Sequence, residues 1–138
     1  MKNGIYDLTD LKLSKKHLDN LKKLGKRWSD ETETMFSNRN DLEDNFVYVF
    51  ENNIVAICNV EQYKNEFCYI QLIISIEKGF GAKLIECLKE KFLKIVLQSE
   101  ISLHNYYTSL GFKQHTKHNI SYYWSKNNLS QNEVFEEN

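Results

Sequence analysis

The sequence predicts an α+β domain: a mixed, mostly antiparallel sheet of six to seven strands, with one parallel pair and helices packed against it. Three observations carry this. Residues 46–74 hold three β-prone runs separated only by short polar breaks, the pattern of an antiparallel meander. An amphipathic helical pattern follows, from Gly79 to Leu93. Then comes Ile95-Val96-Leu97, an all-round apolar run that suits a strand buried on both faces and reached by a right-handed crossover. That strand is therefore expected beside the one ending at Ile74, and parallel to it.

In chain order, residues 4–8 form a candidate first strand. Ser14 is placed to cap a helix with Leu18, Leu21, Leu24 and Trp28 on one face and Gly25 as its stop. Lys15, Lys16, Lys22, Lys23 and Lys26 lie opposite and read as a solvated surface. From 29 to 45 the periodicity fades and the composition turns acidic, with Asp30, Glu31, Glu33, Asp41, Glu43 and Asp44 against Arg39. This is a solvated acidic loop, with or without a short helix around 34–37. The meander runs through 46–50, 54–60 and 67–74, turned at Asn52-Asn53 and at Lys64-Asn65-Glu66. The helix after it carries Leu84, Ile85, Leu88 and Phe92 inward and Lys83, Glu86, Lys89 and Glu90 outward. A short helix over 103–110, closed by Gly111, leads to a hairpin of strands 112–116 and 120–124. Residues 1–125 are expected as one domain, and 126–138 as a polar tail that frays.

Composition narrows the function classes. A chain of 138 residues with 41% hydrophobic and 27% charged residues can bury a full core. Its formal net charge of -1 provides no basic face for nucleic acid. No apolar run has the length of a membrane span, and no signal-peptide core follows Met1-Lys2-Asn3-Gly4, so a cytoplasmic protein without a membrane partner is expected. Cys58, Cys68 and Cys87 sit inside apolar patterns without Cys-x-x-Cys or histidine spacing, which reads as buried thiols and no metal site.

The stretch Ile73-Ile74-Ser75-Ile76-Glu77-Lys78-Gly79-Phe80-Gly81-Ala82-Lys83-Leu84 passes from strand to helix through two glycines. Without a Cβ at Gly79 and Gly81, the amides from Lys78 to Lys83 can turn toward one anion. The helix start adds its unpaired N–H groups and the positive end of its dipole, and Lys78 and Lys83 place cations at the rim. Alone, such a turn is equally the mark of tight packing.

A second stretch, Leu103-His104-Asn105-Tyr106-Tyr107-Thr108-Ser109-Leu110-Gly111-Phe112, stands downstream. The two together resemble the GNAT superfamily of acetyl-CoA-dependent N-acyltransferases. Lys78-Gly79-Phe80-Gly81-Ala82-Lys83-Leu84 is similar to that family's pyrophosphate loop, and Tyr106-Tyr107-Thr108-Ser109-Leu110-Gly111-Phe112 to its "FYxxLGF" segment. The resemblance covers 46–124 well and 1–45 in outline. It implies a three-layer α/β/α fold whose central parallel strands splay apart to admit the pantetheine arm. The arm would pair with the backbone of Leu72, Ile73, Ile74 and Ser75. Lys78, Gly79, Phe80, Gly81, Ala82 and Lys83 would hold the pyrophosphate, with Asn105 as a further cofactor contact. The acidic region 29–45 would help form the acceptor side, where it would favour a cationic amine.

The implied chemistry is direct attack of a primary amine, from a small molecule or a peptide, on the thioester of acetyl-CoA in a ternary complex. A base must take the ammonium proton, a strand amide must polarise the carbonyl, and an acid can protonate the thiolate. By position in its segment Tyr107 matches the family's acid, and a phenol near pKa about 10 is close to balance with an alkyl thiol. Tyr106 reads as core. Glu100, just past the strand 95–97, is the candidate base; Glu51, Glu66, His104, His115 and His118 are alternatives that read first as surface or capping residues.

Three features depart from the family pattern. Ile76 stands where Gln or Arg opens the loop, Glu77 puts a carboxylate beside it, and the link from Ile74 to Gly79 is short and lacks proline. They bear on CoA binding rather than on fold, and two function classes follow: a working N-acetyltransferase, or a catalytically weak relative serving as a CoA-binding or interaction module. A monomer or a homodimer would suit either.

Overall fold

The computed structural model describes residues 1–28, 44–64 and 66–135. In chain order these form β1 (Gly4–Asp7), a 3-10 turn (Leu8–Asp10), α1 (Lys15–Trp28), β2 (Asn45–Phe50), β3 (Asn53–Tyr63) and β4 (Phe67–Ser75). There follow α2 (Phe80–Lys91), β5 (Lys94–Gln98), a 3-10 turn (Ile101–Leu103), α3 (His104–Ser109), β6 (Lys113–Gln114), β7 (Ser121–Ser125) and α4 (Gln131–Phe135). The strands make one seven-stranded sheet in the order β1-β2-β3-β4-β5-β7-β6. Its pairs β1/β2, β2/β3, β5/β7 and β6/β7 are antiparallel, while β4 and β5 are parallel. The fold is therefore α+β with a mixed, mostly antiparallel sheet, as the apolar runs predict. The acidic stretch 29–43, with its suggested helix and its acceptor-side role, lies outside the described residues.

The chain divides into two compact units. The first is Met1–Val60 with Leu72–Leu88. Its core joins Leu8, Leu21, Leu24, Val47, Val49, Ile54, Ile57 and Ile74, with Leu72 and Ile76 packed against it. Ser14 caps α1 as its residue type suggests: its hydroxyl accepts the His17 amide at 3.2 Å, and its own amide donates back to His17 Nδ1 at 3.3 Å. With Nδ1 accepting, Nε2–H donates to the Asn52 carbonyl at 3.2 Å, which fastens the helix to the β2–β3 turn. That turn is Glu51-Asn52, one residue earlier than the Asn-Asn signal, with φ of 50° and 62°. Left-handed φ at both central residues is the two-residue hairpin geometry that matches strand twist.

Gly25 does not stop α1. It is buried inside the helix, which runs on to Trp28. A glycine there costs about 0.5–1 kcal/mol of helix propensity, which burial of Leu21 and Leu24 on the same helix outweighs at roughly 1.5–3 kcal/mol each.

The second unit is Glu61–Gln71 with Lys89–Asn138. The parallel register runs from Phe67 opposite Lys94 to Ile70 opposite Leu97; the ladder ends there, and β4 itself continues to Ser75. Of the stretch expected to fray, residues 126–135 make contacts with the sheet. Lys126 N–H donates to the Leu93 carbonyl at 2.9 Å, and α4 buries Val134 in a cluster with Val96 and Tyr123. Ser130 caps that helix, its hydroxyl accepting the Glu133 amide while Glu133 Oε1 accepts the Ser130 amide. Among the described residues no helix is long and apolar enough to cross a membrane.

Candidate active site

One group of candidate residues lies in the first unit, where β4 runs out into α2. Leu72, Ile74 and Ile76 share one side of the chain and pack on the core, so Ile73 and Ser75 fall on the other. The turn is pinned at its start: the Ser75 hydroxyl donates to the Glu77 carbonyl at 3.0 Å, and the Ile76 amide to the Val55 carbonyl at 2.9 Å. Gly79 then takes φ +103°, where an L side chain is strained, and a Cβ built on it would meet nothing within 4 Å. Glycine is therefore required by conformation and not by crowding, and the space beside it is open.

The Gly79 carbonyl accepts the Lys83 amide at 3.1 Å, which makes Gly79 the cap of α2. The amides of Phe80, Gly81 and Ala82 accordingly have no acceptor within the helix. Lys78, Gly79 and Lys83 are exposed. The turn into α2 is thus open on the side of Gly79. Gly81 is buried in the first turn of α2. Phe80 anchors the helix start through its ring, at 6.3 Å from the Tyr48 ring centroid and 5.3 Å from that of Phe50. Only its backbone is left to face an anion.

A separate group of candidate residues lies in the second unit, on α3. Tyr107 is 6% exposed, its ring set edge-on to Tyr106 and Phe112 and 5.9 Å from Tyr122. Its hydroxyl makes no hydrogen bond among the described residues, where no buried side-chain oxygen or nitrogen lacks a partner. The hydroxyl is therefore the part that reaches the surface: a buried ring with an open O–H. Burial, and then the neighbouring Tyr106, push this phenol up to about 12. It stays protonated through the neutral range, and it is a weaker acid than the near-balance with a thiol expected for an ordinary phenol. Tyr106, read as core, is instead 39% exposed.

Behind α3 the chain is closed by Gly111, at φ +92°. Lys89 Nζ donates to the Leu110 carbonyl and stands over the Phe112 and Trp124 rings at 5.9 and 5.3 Å, which fixes the helix end. Glu100 is exposed just past β5, with its carbonyl accepting the Leu103 amide at 3.0 Å and its Oε2 3.4 Å from the Ser102 hydroxyl. Asn105 is exposed on α3. His115 is taken up by structure: its Nδ1 accepts the amides of Lys117 and His118.

Two partnerships were not read from the sequence. His104 Nδ1 lies 3.0 Å from the hydroxyl of the fully buried Tyr122, in the ring cluster that holds Tyr107. In the first unit, Arg27 Nη1 donates to the Ile76 carbonyl at 2.8 Å. His104 and Tyr122, 18 residues apart, offered no local signal. Arg27 and Ile76, 49 residues apart, offered none.

No protein-family model matches the chain, and no curated protein matches it in sequence. Solved structures do match. An N-acetyltransferase of Bacillus subtilis in complex with coenzyme A is 14% identical, with a TM-score of 0.63 over 91% of this chain and 98% of that one. A GNAT-family acetyltransferase of Bacillus cereus has the same identity and TM-score over 91% and 99% of the two chains. One from Staphylococcus aureus is 15% identical, with a TM-score of 0.58 over 90% and 99%. At these identities the likeness is one of architecture, and this chain has the fold of the GNAT acetyltransferases.

Proposed function

We propose that this protein is an N-acetyltransferase that carries the acetyl group of acetyl-CoA to a primary amine of a small molecule or peptide, by direct attack in a ternary complex. The observation that carries this is the cap of α2: Gly79 in a left-handed conformation, open space beside it, and the unspent amides of the first helical turn, on the fold of the GNAT acetyltransferases. Lys78, Gly79 and the backbone of Phe80, Ala82 and Lys83 would hold the pyrophosphate. The backbone of Leu72, Ile73, Ile74 and Ser75, where β4 has left its ladder with β5, would pair with the pantetheine arm. Asn105 would add a contact from α3.

In the reaction the amine nitrogen, once its ammonium proton is gone, bonds to the acetyl carbon as the carbon–sulfur bond breaks, and the second proton that it then loses passes through solvent to the departing sulfur to give the thiol. Glu100 takes the ammonium proton, and the Tyr107 hydroxyl stabilises the sulfur as it leaves. With its pKa near 12, Tyr107 acts more by hydrogen bonding to the developing thiolate than by complete proton transfer. His104, held by Tyr122 three residues before Tyr107, is the alternative base.

Ile76 favours a second reading, since its side chain is committed to the core and leaves the loop without the Gln or Arg of the family pattern. On that reading the chain is a catalytically weak CoA-binding or interaction module. Thiol release from acetyl-CoA, followed against polyamines, amino sugars, aminoglycosides and lysine peptides, separates the two. Amine-dependent release supports the enzyme; acetyl-CoA binding without release from any of them supports the module.

A further inference from the structure

We propose that Arg27 is a positioning residue for the phosphate cradle, bracing the turn before Gly79 from the last turn of α1. The inference rests on the acetyl-CoA reading above. Residue 76 is held at three points: its amide on the Val55 carbonyl, its carbonyl on Arg27 Nη1, and its side chain on the core around Leu21, Leu24 and Ile74. Two of those points are ordinary sheet and core. The third is a cation that leaves its own helix to reach a loop carbonyl.

Position matters here. Ile76 lies three residues before the cap, so the direction of its carbonyl sets how the peptides of Glu77 and Lys78 enter the left-handed turn at Gly79. A bond from a guanidinium is charge-assisted, and the planar fork uses one of its five donors on Ile76. Arg27 thereby keeps a positive charge beside the turn whose own opening residue is apolar, and next in sequence to the Glu77 carboxylate. The continuation of α1 through the buried Gly25 is what brings Arg27 there. A helix stopped at that glycine would have left the carbonyl to water.

The test uses the full chain and three proteins: wild type, Arg27→Met and Arg27→Lys. Amide exchange by NMR in the ligand-free state reads the brace through Ile76 and Lys83, whose amides are bonded to Val55 and Gly79. Calorimetry with acetyl-CoA reads its consequence. Arg27→Met should speed exchange at Ile76 and Lys83 while leaving the β2 amides unchanged, and should weaken acetyl-CoA about tenfold, the low end for a charge-assisted bond at an exposed site. Arg27→Lys, with a compact ammonium and no planar fork, should recover part of both losses. Unchanged exchange overturns the brace, whatever the affinity does. Faster exchange with unchanged affinity overturns the role in ligand binding. If wild type itself fails to bind acetyl-CoA, the cofactor reading fails, while exchange still decides whether Arg27 braces the loop.

Discussion

Replacing Gly79 by alanine tests the cradle at a residue whose backbone demands glycine. At φ +103° the added Cβ meets no protein atom within 4 Å, so the cost to the fold is conformational strain alone, about 1–3 kcal/mol. For a chain of 138 residues, with unfolding entropy near 2.1 cal/mol/K per residue, that lowers the melting temperature by roughly 3–10 °C. The methyl group would instead occupy the open space where a pyrophosphate must approach the amides of the first turn, and acetyl-CoA should bind about tenfold or more weakly. Gly4 supplies the control, because it too has a positive φ, of +147°, and open space around its Cβ. Gly4→Ala should disturb only stability. Calorimetric titration with acetyl-CoA, on variants shown folded by circular dichroism, decides the matter. Equal affinity in Gly79→Ala and wild type would mean that the cofactor is held elsewhere or is not a ligand.

Further expectations follow from the same geometry. Tyr107→Phe keeps the buried ring and removes the open hydroxyl, so turnover should fall about tenfold, near or below the low end of general acid catalysis, with acetyl-CoA affinity nearly unchanged. Wild-type turnover across pH 6 to 9, a span below the phenol's pKa of about 12, should show no titration of Tyr107; an unimpaired Phe variant would make this tyrosine structural. Cys68 and Tyr107 have both been pushed up to about 12, from 9.0 and 10.0, so the neutral forms belong to the fold. The stability they contribute is complete below about pH 9 and is lost as pH rises toward 12; urea unfolding at pH 8 and pH 11 should show the loss, lessened in Cys68→Ala, and a flat profile would contradict the burial of these groups. Val134→Asp puts a carboxylate into the cluster of Val96 and Tyr123, at a cost of a few kcal/mol that detachment of α4 relieves. Limited proteolysis should then cut 126–135 rapidly in the variant and slowly in wild type, and rapid cutting in both proteins would place α4 outside the folded unit.

What could be read from the chain was what local pattern dictates. The apolar runs marked the strands, because a strand buried on one or both faces must be apolar with period two or throughout. Gly79 and the all-round apolar 95–97 stretch placed the turn into α2 and the parallel pair, each a property of a few consecutive residues. The misses share a cause. Gly25 reads as a stop until the packing of Leu21 and Leu24 carries the helix through it. Helix α4 has five residues, too few to form by propensity, and is held by tertiary contacts of Val134 and Phe135. Gly79 and Gly81 look alike in sequence, and only the fold shows that Gly81 is covered and Gly79 exposed. Tyr106 and Tyr107 differ in the same way, since the rotation of α3 and not residue type decides which ring is covered. Arg27 on Ile76 and His104 on Tyr122 are single long-range contacts, with no periodic trace.

The most direct measurement is the melting of the wild-type protein with and without acetyl-CoA. A ligand at about 100 times its dissociation constant adds roughly 2.7 kcal/mol to the folded state, which for this chain is a rise of about 9 °C. The account predicts such a rise, saturable and reproduced by CoA. No shift at millimolar acetyl-CoA, with the protein folded and Gly79 intact, would contradict the claim that this cradle holds the cofactor.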